Sequence, residues 1–368
     1  MSMEKKINGF IEENINNNVF PSISVGISSK KGKNKKRYII SSSKDINQSN
    51  KKELKKNIIF DLASLTKPFA TVLSLLSLIK ESKIRTGSQL RDIFKEEFNN
   101  DKKNISIEQL LSHSGGLPGH RDYHKKLVEV DNEHRKKLLL DLLIKEPLVA
   151  RPGTQTLYSD LGYMLLGLVI EKVAGRELDD YFSKMIMAPI GLQENIFFNP
   201  VGSKKHLNRG FAPAEYCPWR GRVLAGEVSD ENCWALGGVA GHAGLYGDIE
   251  GVLSLSELIL DIWQGKRDHP NINRRDLVRF LTRKSAREGD TWALGFDRPS
   301  PGRASCGKYL SPESVGHLGF TGTSFWLDPE LELVIAILTN RVHPSRDNER
   351  IKKFRPEFHD RVVEWLAQ

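Results

Sequence analysis

Residues 60–81, FDLASLTKPFATVLSLLSLIKE, place a serine and a lysine three positions apart at the start of a long apolar run. Residues three apart share one face of a helix, so the Lys67 amine can reach the Ser64 hydroxyl. Burial lowers the pKa of an amine, and an uncharged Lys67 would accept a proton from Ser64. The pair therefore predicts a nucleophilic serine. The alternative is an N-cap serine followed by a lysine whose amine reaches solvent.

The same spacing occurs at three other places and provides an internal control: Ser28/Lys31, Ser41/Lys44 and Ser49/Lys52. These pairs lie in polar stretches that we expect to be exposed. Only the Ser64 segment continues as a helix that is apolar on nearly every face, which predicts a place in the core. Pro68 is compatible with this helix because it falls in the first turn, where its missing N–H would have no partner.

Two later segments supply complementary chemistry. RPGTQTLYSDLGYMLLG places Tyr158 at a turn before another apolar helix, where a phenol can relay protons between a nucleophile and a leaving group. In SVGHLGFTGTSFWLDPE, glycines within a predicted strand permit the close backbone approach that an oxyanion hole or a substrate-pairing edge requires. Taken singly, each segment has an alternative, which is a core tyrosine for the first and a glycine-rich hairpin for the second.

Hydrophobic periodicity predicts strands at both ends of the chain and helices in the middle. A helix over 8–18 precedes strands in SISVGISSKKG and KRYIISSS, and helical periodicity dominates for about two hundred residues from position 61. Strands return in TWALGFD, SVGHLGF, TSFWLDP and ELVIAILTN, before a last helix, PEFHDRVVEWLA. We therefore expect an α+β fold. Residues 1–60 and 288–368 would form a mainly antiparallel sheet flanked by helices, residues 61–287 a mostly helical lobe, and the cleft between them the active site.

The composition fits a soluble globular enzyme, with 39% hydrophobic and 27% charged residues among 368. No apolar run is long enough for a membrane span. Glu12 and Glu13 occupy the place where a signal peptide needs its apolar core, so we expect a cytoplasmic protein, or a periplasmic one if a leader has been removed. The three cysteines are odd in number and lack CxxC spacing, which favours buried thiols over disulfides or zinc ligands.

A net charge of +9 makes nucleic acid a partner to consider. Most of the surplus lies in residues 1–60, with 13 Lys and Arg against 5 Asp and Glu, grouped in KKGKNKKR and KKELKK. No aromatic residues interleave with the first group, as they would in a protein that binds single strands. We therefore expect solvated loop lysines and no nucleic-acid partner.

Considered together, five motifs carry a resemblance to a known superfamily: SLTK, LLSHSGGLP, YSD followed by LGYMLLG, GGVAGHAGLYG, and GHLGFTGTSFWLDPE with LTNRVHP. They resemble, in the same order, serine β-lactamases, penicillin-binding proteins and family VIII-type carboxylesterases, nearest to the class C branch. The resemblance covers residues 60 to about 344. It implies a β-lactamase/transpeptidase-like fold and an acyl-enzyme on Ser64, with protons exchanged by Lys67 and Tyr158. The backbone N–H groups of Ser64 and Phe320 would form the oxyanion hole.

Two positions depart from the pattern of these proteins. The usual Tyr-x-Asn motif ends here on Asp160, and a carboxylate cannot donate a hydrogen bond unless it is protonated. Asp160 would also favour a charged Lys67. The usual His/Lys-Thr/Ser-Gly motif is here His317-Leu318-Gly319, and Leu318 lacks the hydroxyl that holds a substrate carboxylate. Aligning that motif on residues 320–322, FTG, would recover the threonine but lose the basic residue, so we prefer the first register.

These departures favour an esterase over a β-lactamase or a D-Ala-D-Ala peptidase, and a non-catalytic binding protein on the same fold is a third alternative. The partner would be a small-molecule ester, peptide or lactam, with no cofactor and no metal; the residues predict no oligomeric state. Arg341 is a candidate cation for a substrate carboxylate, although an ordinary strand-end arginine is the alternative. Tyr123 is expected to be exposed at the rim of the cleft.

Four histidines are weaker candidates for chemistry. His113 and His242 lie in glycine-containing turns and are predicted to be structural rather than catalytic. His120 and His124 have the i,i+4 spacing of metal ligands, but GLPGHRDYH is typical of a loop and offers no evident acidic third ligand.

Overall fold

The computed structural model describes residues 1–31, 34–44, 58–95, 98, 101–206, 208–285, 289–300, 302 and 304–368. Its helices are α1 (Met3–Asn16), α2 (Leu73–Lys80), α3 (Leu90–Phe94), α4 (Ile107–Leu111), α5 (His124–Leu127), α6 (Asn132–Lys145), α7 (Asp160–Ala174), α8 (Leu178–Phe182), α9 (Glu231–Ala235), α10 (Ile249–Trp263), α11 (Arg274–Thr282) and α12 (Ile351–Ala367). Its strands are β1 (Ser22–Lys31), β2 (Asn34–Ser43), β3 (Phe60–Asp61), β4 (Ile196–Phe198), β5 (Tyr216–Cys217), β6 (Arg222–Val223), β7 (Leu245–Gly247), β8 (Val315–Leu318), β9 (Ser324–Asp328) and β10 (Leu333–Thr339).

The largest sheet joins the two ends of the chain. Five antiparallel strands follow the order β2-β1-β10-β9-β8, so the N-terminal β1 pairs directly with the C-terminal β10. A second sheet has the order β3-β7-β4, and β5 pairs with β6. This arrangement confirms the predicted α+β fold class, with the sheet built from both chain ends. The predicted lobe boundaries near residues 60 and 288 stay a prediction.

Strand β10 is buried on both faces. Ile335 and Ile337 belong to one apolar core with residues of α1 and α12, whereas Ala336 and Leu338 belong to the other, with residues of α2, α7 and α10. Alternate residues of a strand point to opposite faces, so each residue of β10 meets one of two helical layers. Burial on both faces explains why ELVIAILTN is continuously apolar rather than alternating.

Three predicted elements differ from the observed ones. TWALGFD is not a strand: Gly295 has a φ of 86° and turns the chain, leaving a single bridge between Asp297 and Gly316. The first helix begins at Met3 rather than residue 8, because Ser2 accepts a hydrogen bond from the backbone of Lys5 and caps it. The last helix, α12, begins several residues before the predicted segment and contains Pro356.

Part of the basic surplus is neutralised by α10. On the β1–β2 hairpin, Lys35 lies 2.7 Å from Glu257, and Lys30 pairs with Asp261. These contacts fit structural lysines on the hairpin, while the KKELKK group lies outside the residues that the structure describes.

Two further predictions concern the membrane and the thiols. Over the described ranges, no helix is both long and apolar enough to cross a membrane. The three thiols, Cys217, Cys233 and Cys306, are free and buried, as predicted.

Candidate active site

A strained turn presents Ser64 at the start of the buried helical segment. Ser64 lies in a short 3₁₀ turn, Ala63–Leu65, which leads into a π-helical stretch, Lys67–Val72, and then into α2. Ala63 has a φ of 48°, a left-handed conformation that is unfavourable for a residue with a Cβ. The Asp61 carboxylate accepts hydrogen bonds from the backbone of Ala63 at 2.8 Å and of Ser229 at 2.8 Å, which holds this turn in place.

Lys67 is fully buried beneath Ser64, and its ammonium has three acceptors. Its Nζ donates to Ser64 Oγ at 2.9 Å, to Asp160 Oδ1 at 2.7 Å and to the His242 carbonyl oxygen at 3.2 Å. An ammonium group has three donors, so the charged form of Lys67 is fully satisfied. The helix start, the Tyr-x-Asp motif and the GGVAGHAGLYG turn therefore meet at one nitrogen atom.

The Lys67–Asp160 pair sets the protonation state of the site. Burial lowers the pKa of Lys67, but the Asp160 charge and the neighbouring Tyr158 outweigh burial and raise it above its ordinary value. Burial raises the pKa of Asp160, and the Lys67 charge more than reverses this, leaving it well below its usual range. The resting site thus holds an ammonium–carboxylate pair. Burial acts in the predicted direction, but the Asp160 carboxylate at ion-pair distance outweighs it, which is the opposing effect of Asp160 that the sequence also indicated.

Tyr158 lies between this pair and an aromatic wall. The Lys67 Nζ is 4.8 Å from the centroid of the Tyr158 ring, and the rings of His113 and Trp292 lie 4.5 and 5.4 Å from it. Loss of solvent raises the pKa of Tyr158, and the positive charge of Lys67 opposes this effect. The side chain is therefore a protonated phenol beside the nucleophile.

The end of β8 forms the opposite wall. His317 Nδ1 lies 2.8 Å from the Leu318 carbonyl oxygen, which can only accept, so Nδ1 carries the proton. Burial lowers the pKa of His317 to about 3, which keeps the ring neutral. Its Nε2 has no hydrogen-bond partner among the described residues. His317 thus offers a neutral acceptor to the cavity.

The loop after β8 is tied to the segment that carries the nucleophile. Thr321 Oγ1 donates to the Asp61 carbonyl at 2.8 Å, and Thr323 Oγ1 donates to the Leu62 carbonyl at 3.1 Å. The guanidinium of buried Arg355 donates to the Thr323 carbonyl at 2.7 Å and so clamps the loop from α12. These bonds fix the two walls of the site relative to each other.

Two backbone donors are available for a developing oxyanion. Within the described part of the chain, neither the Ser64 N–H nor the Phe320 N–H donates to a protein acceptor. Both residues line the same cavity, which has a volume of about 540 Å³. Both donors are therefore free to bind an oxyanion, and this role for them stays a prediction.

The cavity brings together most of the predicted site residues: Ser64, Tyr158, Asp160, His317, Leu318, Gly319, Phe320 and Arg341. Lys67 lies below its floor. Arg341 is buried in the wall, where its Nε donates to the Phe320 carbonyl at 2.9 Å and its NH1 to the carbonyls of Arg346 and Asn348 at 2.7 and 2.8 Å. These hydrogen bonds to backbone carbonyls are typical of a structural arginine.

Tyr123 does not belong to the site, and the prediction that it is exposed at the rim is wrong. Its side chain is only 6% exposed and donates to Glu146 Oε2 at 2.6 Å. The residues after it form α5, which packs the ring into the apolar core. His120, three residues earlier, lines the cavity instead, with its Nδ1 3.8 Å from Asp160 Oδ2.

The GGVAGHAGLYG turn has a larger role than the sequence indicated. The consecutive carbonyls of Gly241, His242 and Ala243 accept hydrogen bonds from Thr71, Lys67 and Cys233. The His242 ring is fixed by a 2.9 Å contact between Nε2 and Asp230 Oδ1. The glycines were the available signal, because a Cβ on Gly241 would collide with the Tyr163 carbonyl, so glycine there lets this turn pack closely against α7. Nothing in the local sequence marked Asp230, Asp61 or Trp292 as cavity residues.

His113 and His124 are both packed against other side chains. His113 is buried, and its Nδ1 accepts from the Ser159 N–H at 3.0 Å, in a structural role. Burial also lowers its pKa well below the usual range. His124 is buried against Trp219 with ring centroids 4.9 Å apart. Across the described ranges, no group of three or more His, Cys, Asp or Glu residues is placed to hold a metal ion.

Comparison with known proteins agrees with this geometry. The family model described as Beta-lactamase matches residues 9–357. A relative from Escherichia coli (strain K12), named "Putative D-alanyl-D-alanine carboxypeptidase", is 32% identical over 319 residues, which cover 79% of this chain and 71% of the relative. A relative of the same name from Salmonella typhi is 32% identical over 316 residues, covering 80% of this chain and 72% of its own.

Solved structures share the fold at low identity. The penicillin-binding protein homologue from Pyrococcus abyssi superposes with a TM-score of 0.69 at 20% identity, covering 99% of this chain and 78% of its own. The hydrolase EstCE1 has a TM-score of 0.71 at 21% identity, with 95% and 97% covered. A class C β-lactamase from Rhodobacter sphaeroides has a TM-score of 0.70 at 17% identity, with 96% and 99% covered. With its fold, its family model and its relatives in agreement, this chain belongs to the β-lactamase family of serine hydrolases.

Proposed function

We propose that this protein hydrolyses small esters through an acyl-enzyme on Ser64. The observation that carries the proposal is the wall beside the nucleophile, where the groups that would hold a substrate carboxylate are absent or already bonded. Leu318 replaces the hydroxyl of the third motif, and the nearby hydroxyls of Thr321 and Thr323 donate to backbone carbonyls. An ester needs none of these contacts.

Acylation in this scheme starts from the minor form in which Lys67 has lost its proton. The neutral amine accepts the proton of Ser64 Oγ, 2.9 Å away, as the oxygen attacks the ester carbonyl. Tyr158 gives its phenol proton to the departing alkoxide and regains one from the Lys67 ammonium. The proton that leaves Ser64 thus balances the proton that leaves with the alcohol.

The backbone N–H groups of Ser64 and Phe320 would hold the oxyanion in the tetrahedral intermediate. Each such donor contributes about 3 kcal/mol to transition-state stabilisation in acyl-transfer enzymes. Water then attacks the acyl group on Ser64, and one of its protons passes to the neutral Lys67 amine. Lys67 returns this proton to Ser64 Oγ, 2.9 Å away, as the bond between Oγ and the acyl group breaks, which regenerates the hydroxyl and the neutral amine.

A second candidate is a D-Ala-D-Ala carboxypeptidase, the activity in the printed names of the curated relatives. The observation that favours it is the basic wall of the cavity, which includes Arg341, Arg346, Lys352 and Arg355. Arg341 donates to backbone carbonyls, Arg346 pairs with Glu215 at 2.6 Å, and Lys352 pairs with Glu349 at 2.6 Å. Because these cations already have partners, we rank the ester first.

The test compares initial rates on p-nitrophenyl butyrate, nitrocefin and a peptide ending in D-Ala-D-Ala, each corrected with the Ser64→Ala variant. We expect Ser64-dependent ester cleavage with negligible turnover of the other two. Turnover of the peptide or nitrocefin in preference to the ester would overturn the assignment and favour an amide substrate. Failure of a fluorophosphonate probe to label Ser64 would instead support a non-catalytic binding protein.

A further inference from the structure

Phe320 exposes its ring to the cavity. It is 48% exposed, and in the part of the chain that the structure describes it is the one large apolar side chain that is both this exposed and part of the cavity wall. A single exposed apolar side chain is common on protein surfaces, so what matters here is that this ring lies in the wall of the candidate active-site cavity, where an aromatic side chain can stack on a ligand. The ring therefore points to an interaction with the bound substrate.

The ring is held in place by two arginines. The guanidinium carbon of Arg341 lies 4.7 Å from the ring centroid, and that of Arg346 lies 5.6 Å from it. Arg341 is itself anchored on the carbonyls of Phe320 and Asn348, and Arg346 is anchored on Glu215. A ring fixed in this way is preorganised, so a ligand that stacks on it loses little entropy to ordering.

Its position places it next to the reaction. The Phe320 N–H is a proposed oxyanion donor, so the side chain of the same residue lies beside the group attached to the reacting carbonyl. Leu318, Trp292 and Ile351 add apolar surface to the cavity, whose volume of about 540 Å³ accommodates a ring with a short chain. Since the two guanidiniums already interact with the ring, a further cation would meet like charge.

We propose that Phe320 is a specificity-determining residue that stacks on an aromatic ring of the substrate, next to the scissile ester bond. This inference rests on the proposed esterase function and deepens it by naming the substrate class, which is an aromatic ester. The ring belongs either to the alcohol or to the acyl part, and the two parts are tested separately.

The experiment uses pairs of esters that match in size and differ in aromaticity. Phenyl acetate and cyclohexyl acetate test the alcohol side, and methyl phenylacetate and methyl cyclohexylacetate test the acyl side. The ratio of kcat/KM within each pair is measured for the wild type and for Phe320→Leu, Phe320→Tyr and Tyr309→Leu. Tyr309 is a matched control, an aromatic side chain that is 42% exposed, lies 4.7 Å from the Lys308 ammonium and is outside the cavity wall.

In one of the two pairs, Phe320→Leu should lower the ratio of kcat/KM for the aromatic ester to kcat/KM for the saturated ester roughly tenfold. This is the size of effect that stacked ring pairs produce. Phe320→Tyr should restore the ratio, and Tyr309→Leu should leave it unchanged. If this ratio in Phe320→Leu stays within twofold of the wild-type ratio for both pairs, the inference is overturned, because a leucine would then recognise the substrate as well as a ring does.

A binding measurement separates this inference from the esterase proposal. Phenylboronic acid and cyclohexylboronic acid form adducts with a reactive serine whether or not any ester is turned over. Their affinities for the wild type and Phe320→Leu are measured by calorimetry, with Ser64→Ala as the control for the serine adduct. Loss of the phenyl preference in Phe320→Leu supports stacking even if no ester is hydrolysed. An equal preference for phenylboronic acid in the wild type and in Phe320→Leu contradicts stacking even if esters are hydrolysed.

Discussion

Two Ser-x-x-Lys pairs of this chain, Ser64/Lys67 and Ser41/Lys44, have the same spacing and different surroundings. Ser64 and Lys67 lie at the start of a helical segment and are joined by a 2.9 Å hydrogen bond. Ser41 lies on β2, where its hydroxyl is 2.7 Å from that of Ser24, and exposed Lys44 donates to Asn18 at 2.8 Å. Three positions along a helix return to the same face, whereas three along a strand lead to the opposite face.

Burial separates the two pairs further. Lys67 is closed off from solvent and has a carboxylate as partner, whereas Lys44 is exposed and has a neutral amide as partner. The other two control pairs are less informative. Ser28 is buried in β1, contrary to the expectation of an exposed stretch, and residues 49 and 52 lie outside the described ranges. The comparison teaches that spacing is meaningful only with the secondary structure and the burial that accompany it.

The largest expected effect comes from removing the serine hydroxyl from each of the two pairs. Ser64→Ala should lower kcat/KM for p-nitrophenyl butyrate by at least about a thousandfold, because no acyl-enzyme can form. Ser41→Ala removes the same atom from the other pair and should leave the rate unchanged. Both are measured as initial rates on proteins whose folding has been checked by circular dichroism. Residual activity in Ser64→Ala near the wild-type value would remove Ser64 from the mechanism.

An intermediate effect concerns the buried charge. Lys67→Met leaves the Asp160 carboxylate without its main partner, and this should lower the free energy of unfolding by about 3 kcal/mol. Lys44→Met, at an exposed site, should change it by less than about 0.5 kcal/mol. Urea denaturation at pH 7 measures both values.

The double variant Lys67→Met/Asp160→Asn provides the control, because it removes both charges. It should recover most of the lost stability. If Lys67→Met is as stable as the wild type, the Lys67–Asp160 ion pair does not stabilise the folded protein as its geometry indicates.

The smallest expected effect comes from removing the Asp160 carboxylate, a partner that Lys67 has and Lys44 lacks. Asp160 raises the pKa of Lys67, so activity that requires the neutral amine rises with pH and is limited at neutral pH. Asp160→Asn removes that charge and should move the rise of kcat/KM to lower pH by about one unit, giving about tenfold more ester hydrolysis at pH 7. The pH–rate profile of each protein measures the shift.

Asp180→Asn is the matched control. This carboxylate on α8 lies 2.6 Å from Lys184 and outside the cavity wall, so its removal changes the net charge equally and should leave the profile unchanged. An Asp160→Asn protein that is inactive at every pH would show instead that the carboxylate positions the amine.

Local pattern determined much of this protein from the sequence alone. The apolar periodicity after residue 69 placed Ser64 and Lys67 on a buried helix, because helical faces depend only on neighbours three and four positions away. Strand periodicity at both chain ends predicted the α+β fold class and the sheet that joins them, and the resemblance carried by the motifs implied the same fold. Strands β8, β9 and β10 were found because runs bounded by glycine, proline and asparagine are typical of strands.

Only the tertiary structure decided the state of the site. The Lys67 ammonium meets Asp160 and the His242 carbonyl, which lie 93 and 175 residues away along the chain, so no local pattern indicates their distance. The sequence indicated two opposing effects on the pKa of Lys67, and only the contact distance shows that Asp160 outweighs burial. Tyr123 is buried and donates to Glu146, so it does not lie at the rim. Sequence spacing specifies which face a side chain occupies; the topology of the chain decides which charge lies opposite it.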